Sequence, residues 1–144
     1  MRTPEDLDKH QTLIEELIAV FLHEGFTVTE ADGQQEFQSP RELHNDGYGD
    51  QEDKAPDIYA YDPKSKIHVF GEAKTGRDDL ETDHSLTQYN VFLDQEERRT
   101  GKKPKLYIIV PSGKVPEFNT LITHYIHREY WQNIVVVSSQ RWKD

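Results

Sequence analysis

Three side chains in the stretch APDIYAYDPKSKIHVFGEAKT, residues 55–75, could do chemistry together: Asp57, Glu72 and Lys74. Successive side chains of a strand point to opposite faces, so Glu72 and Lys74 share one face. Tyr, Ile, Val and Phe occupy the strand positions on either side of Asp62-Pro63, a turn opening, and the stretch reads as a hairpin. If Asp62 pairs with Ile67 across the loop 63–66, antiparallel register places Asp57 opposite Glu72. Two carboxylates on one sheet face repel unless a cation lies between them. Asp57 and Glu72 are hard oxygen donors suited to Mg2+ or Mn2+, and the Ala73 carbonyl is positioned to complete the ligand set. Lys74 would orient a metal-bound water or stabilise developing negative charge. The plain alternative is a surface ion-pair cluster, which stabilises little.

The elements around this hairpin follow from periodicity. Residues 4–24 predict an amphipathic helix, with Thr3 as N-cap, Pro4 in the first turn, and Leu7, Leu13, Ile14, Leu17, Ile18 and Phe21 as its apolar stripe, stopped by Gly25. His10 falls within the stripe, whereas Glu15 and Glu16 lie off it. A first strand is expected over 26–30, then a turn at Asp32-Gly33 and a short return at 35–38. Residues 39–54 read as a long polar loop. A helix over 84–100 carries Leu86, Tyr89, Val91, Phe92 and Leu93. KLYIIV, residues 105–110, reads as a strand covered on both faces. A third helix over 116–131 and a buried strand over 134–138 complete the order. The expected architecture is α/β, a mixed central sheet flanked by helices: helix, two or three meandering strands, helix, strand, helix, strand.

The chain has 144 residues and fits one domain, 1–144, with a single core. It contains no cysteine, which excludes disulfides and thiolate metal sites. The apolar runs are too short to span a bilayer and the first residues lack a signal-peptide core, so a cytoplasmic protein without membrane contact is expected. A net charge of -10 argues against a broad phosphate-binding surface. The dense basic cluster, Arg98, Arg99, Lys102, Lys103 and Lys105, offers a local phosphate track, although helix capping and solubility also account for it. Tyr59, Tyr61 and His68 share the inferred face of Glu72: the tyrosines read as packing or as stacking surfaces for bases or sugars, and His68 as bordering the site or covering the sheet. His124 and His127 have helical spacing but no evident third ligand.

Pro56-Asp57 followed by Glu72-Ala73-Lys74 on a strand, within this order of elements, resembles the PD-(D/E)XK nuclease superfamily. The resemblance covers residues 7–110 and includes some similarity to archaeal-type Holliday junction resolvases. It implies a three-layer restriction endonuclease-like fold and a Mg2+- or Mn2+-dependent deoxyribonuclease, with DNA as partner and a homodimer or partner protein as the assembly. It further implies a site Gln on the following helix, where Gln88 stands, with the neighbouring aromatic Tyr89 as a nucleic-acid contact, and an acid from the first helix. Glu16 is the candidate for that acid, with Glu15 and His10 as alternatives. Where related exonucleases carry a Tyr after the Gln, this chain has Phe92. The second reading is a non-catalytic or partner-dependent subunit of the same fold.

Overall fold

The apolar stripe of the N-terminal segment forms α1, Pro4–Glu24, which buries Leu13, Ile14, Leu17, Ile18 and Phe21 along one side. Gly25 ends it at φ +87. Its N–H donates to the Leu22 carbonyl and that of Phe26 to the Phe21 carbonyl, the paired closure of a Schellman cap. Leu7 lies on the same stripe yet is 53% exposed, because it stands one turn before the buried run that begins at Lys9 and His10. In this computed structural model the described residues are 4–41, 55–76, 89, 92, 93, 95, 100–126 and 128–144.

Five strands form one sheet: β1 (Thr27–Ala31), β2 (Ile58–Asp62), β3 (Ile67–Ala73), β4 (Lys105–Val110) and β5 (Ile134–Ser138). Their spatial order is their chain order. β1, β2 and β3 meander antiparallel, and β3, β4 and β5 run parallel. The register of the β2–β3 hairpin is the expected one, with Asp62 opposite Ile67 and Ile58 opposite Gly71. Its turn is fixed locally. The Asp62 side chain accepts from Lys64 N–H at 2.9 Å, its carbonyl accepts from Lys66 N–H at 2.8 Å, and Lys66 takes the left-handed conformation that closes the loop.

Strand alternation divides the core into two layers. On one face Ile58, Ala60, Val69, Tyr107 and Ile109 pack against α1. Gly71 permits the close approach there, since a Cβ would stand 3.0 Å from both Leu17 Cδ2 and Ile58 Cβ. On the other face Phe70, Leu106, Ile108 and Val110 pack with Tyr89, Phe92 and Leu93, whose backbone is helical, and with Phe118 and Leu121 of α2 (Val115–Tyr125). Helices therefore cover both sides of a mixed α/β sheet, as parallel β3–β4–β5 pairing requires.

Three expectations change, and others fall largely outside the described residues. The helix expected over 116–131 ends at Tyr125: Ile126 turns extended, and a 3-10 segment, Arg128–Asn133, leads into β5. The return at 35–38 contributes only a single parallel bridge, Glu30 to Gln38. β5 is half-buried rather than buried, because it stands at the edge of the sheet with β4 on one side. The helix expected over 84–100 is seen only at Tyr89, Phe92 and Leu93, and most of the loop 39–54 and the Thr3 cap lie outside the described residues. No helix among the described residues is long and apolar enough to cross a membrane.

Candidate active site

Extending the hairpin register one step beyond Ile58 and Gly71 brings Asp57 against Glu72, and their contacts are direct. The Asp57 N–H donates to Glu72 Oε1 at 3.0 Å, and the Ala73 N–H donates to Asp57 Oδ2 at 2.9 Å. Lys74 leaves the end of β3 with its own N–H on the Ile109 carbonyl at 3.0 Å. Its ammonium lies 3.7 Å from Glu72 Oε2 and 5.9 Å from the centre of the Tyr89 ring. From α1, His10 reaches Asp57 with Nε2 3.2 Å from Oδ2. The group gathers at the carboxyl end of the parallel strands, where open α/β sheets place their ligands.

Burial sets the electrostatics. Glu72 is 2%, Lys74 4% and His10 5% exposed. Taking a carboxylate out of water disfavours its charge, and the Asp57 carboxylate adds repulsion. Together these push the Glu72 carboxyl well above its usual range, with Lys74 and the Asp57 N–H only partly opposing them. An amine at 3.7 Å is a loose counter-ion for a group so deeply placed. Arg41 and Glu30 show the contrasting case. Their paired hydrogen bonds lower the Glu30 carboxyl and raise the Arg41 guanidinium, while Arg41 lies over the Tyr59 ring at 4.7 Å.

Of the residues singled out in the sequence, Asp57, Glu72, Ala73 and Lys74 come together. Glu16 does not join them. Its carboxylate accepts from the Ser139 hydroxyl at 3.2 Å and from the Gln140 and Arg141 N–H groups at 3.1 Å each, which ties α1 to the C-terminal segment. The α1 residue that reaches the site is His10, on the helix face turned to the sheet. Tyr89, expected to touch nucleic acid, is 1% exposed and packs edge-on against Phe118 at 6.1 Å, so it walls Lys74 and presents no surface. Lys102 and Lys103 lie at the start of β4, beside Ser65 and Asn133 in a cleft of about 460 Å³. Because β3 and β4 are parallel, that cleft is at the opposite end of the sheet from Glu72, about 17 Å away along β3 at roughly 3.3 Å per residue. Gln88, Arg98 and Arg99 lie outside the described residues, as does His127.

The sequence reading missed Asp32. In the sequence it reads only as a turn residue after the first strand, yet its N–H donates to the Asp57 carbonyl at 2.8 Å. A carboxylate oxygen of Asp32, one of Asp57 and an imidazole nitrogen of His10 lie within 4.8 Å of one another. A separate cleft of about 560 Å³ is lined by Glu5, Asp8, Lys9, Gly76, Lys114 and Trp142, and none of His10, Asp57, Glu72 or Lys74 is among its lining residues. Compared with protein-family models, curated proteins and solved structures, the chain matches none.

Proposed function

We propose that this protein is a metal-dependent phosphodiesterase acting on DNA, with Asp57, Glu72 and the Ala73 carbonyl holding Mg2+ or Mn2+. The observation that carries the reading is the placement of two touching acidic residues and a buried lysine at one strand end. The donor set fits such a cation. Both side-chain ligands are hard oxygens, and a cation would relieve the burial and repulsion at Glu72 that Lys74 only partly offsets. When bound, the cation supplies Lewis-acid activation of water and of the phosphodiester.

The remaining work falls to the chain's own groups. Lys74, held between Glu72 and the Tyr89 ring, presents its ammonium to a phosphate oxygen or to the attacking water. The Ala73 N–H and His10 fix the Asp57 carboxylate in orientation. Gln88, Arg98 and Arg99 complete the proposal as a site amide and phosphate contacts.

The test incubates the purified chain with supercoiled, linear, single-stranded and branched DNA, with and without Mg2+ or Mn2+. Cleavage that requires the cation and falls at least about 100-fold in Asp57→Ala, Glu72→Ala and Lys74→Ala is the expected result. Cleavage unchanged by these substitutions would sink the reading. A second reading, a partner-dependent subunit of the same fold, draws on the charge of -10 and on the distance of Lys102 and Lys103 from Glu72. Strong divalent binding that disappears in Glu72→Ala counts against it.

A further inference from the structure

We infer that His10, Asp32 and Asp57 form a mixed nitrogen and oxygen site for a divalent transition-metal cation such as Mn2+, Co2+ or Zn2+. This site shares Asp57 with the centre proposed above but does not rest on the phosphodiesterase reading. Its three ligand atoms come from three separate parts of the fold: α1, the turn after β1, and the residue before β2. They already lie within 4.8 Å of one another. With metal–ligand bonds of about 2.0–2.2 Å, neighbouring ligand atoms in a coordination shell stand roughly 3–3.5 Å apart. His10 Nε2 and Asp57 Oδ2 meet that spacing at 3.2 Å. The exposed Asp32 side chain closes the remainder by rotation.

The turn that carries Asp32 is built for this position. Its N–H is held by the Asp57 carbonyl, and Gln34 Nε2 donates to Gln11 Oε1 at 2.9 Å, so the turn is latched to the residue after His10. Gly33 sits between them at φ +68, and a Cβ there would stand 2.5 Å from Gln11 Oε1. Any other residue would be strained and would push the Gln11 amide off Gln34. A hydrogen bond from His10 to Asp57 would by itself explain a buried imidazole. It does not explain why the Asp32 backbone is tied to Asp57 so that a second carboxylate stands beside the pair, where it repels Asp57 unless a cation lies among the three. Imidazole shifts the preference of such a site away from Mg2+ and toward Mn2+, Co2+ and Zn2+.

The experiment titrates the chelator-treated full chain with Co2+ and with Zn2+, reading heat, visible Co2+ absorption and the ring resonances of His10. The expected result is a site whose Co2+ binding shifts the His10 ring signals. Asp32→Asn and His10→Gln each weaken it ten- to a hundred-fold, and Glu72→Gln leaves it in place. Asp32 is exposed, so Asp32→Asn keeps the test open even if His10→Gln unfolds. Co2+ affinity unchanged in Asp32→Asn, or His10 ring signals that do not respond to Co2+, would overturn the inference. DNA cleavage that fails while this binding holds removes the phosphodiesterase reading alone.

Discussion

Glu72 is a carboxyl group kept almost wholly out of water next to a second carboxylate, and its proton is therefore linked to the stability of the fold. Its raised folded-state pKa means that the native protein binds this proton more tightly than the unfolded chain does. The resulting stabilisation is fully present below about pH 4.5 and is lost as pH rises from there through the raised native value. Glu72→Gln removes that loss. Without metal, the variant should gain thermal stability relative to the parent chain as pH increases from 4 to 8, and melting curves across that range measure the difference. Saturating Mg2+ should reverse the order, because only the parent chain has the Glu72 ligand for it; at about 100 times Kd the cation adds roughly 2.7 kcal/mol. Asp57, Glu72 and Lys74 were legible in the sequence because strand alternation and a four-residue turn fix which side chains meet. His10 was legible as a helix-face residue and as an alternative to Glu16 for reaching the site, and it is His10 that contacts Asp57. Asp32 was not, because turn formation alone accounts for an Asp before a Gly, and its contact with Asp57 depends on how the β1 turn folds back.

At the scale of elements, α1 is held from two directions. Toward the sheet it presses so close to β3 that Gly71 has no room for a side chain. Gly71→Ala should destabilise the protein by about 1–3 kcal/mol through overpacking, measured by urea denaturation. Along its other edge it carries the C-terminal segment. Glu16 caps residues 139–141, Thr12 accepts from Trp142 Nε1 at 2.7 Å, and Lys9 donates to the Asp144 carbonyl. Glu16→Ala leaves the polar groups of residues 139–141 without their acceptor and should cost about 1–3 kcal/mol, with cleavage by folded protein unchanged. Glu16 was the candidate for the site because the resemblance to the nuclease superfamily implies an acid from the first helix. Its real partners lie more than a hundred residues away in a segment with no periodic pattern. Helix and strand identities were readable from spacing. The break of the third helix after Tyr125 and the edge position of β5 were not, since both follow from packing around the sheet.

For the whole molecule, the phosphodiesterase proposal sets a polyanionic substrate against an overall charge of -10. Lys102 and Lys103 face a cleft at the end of the sheet remote from Glu72, so under that proposal they would contact DNA away from the bond being cut. Substituting both by alanine should weaken DNA binding and lower the salt dependence by at most about two phosphate contacts, while the cleavage rate at saturating DNA stays the same. Binding measured across a salt series, beside single-turnover cleavage, separates the two effects.

The clasp between α1 and the chain's last residues also bears on the order of folding. The bonds from Glu16, Thr12 and Lys9 span 123 to 135 residues of sequence, among the widest separations in the protein. Contacts of that span form against a large loop-closure entropy and arrive after the local hairpin and helices. His10 sits between Lys9 and Thr12, so the helix edge that aims it at Asp57 is fastened at the end of the folding reaction. Kinetically, Glu16→Ala should speed unfolding and leave the refolding rate nearly unchanged, which makes the clasp a brake on opening rather than a nucleus.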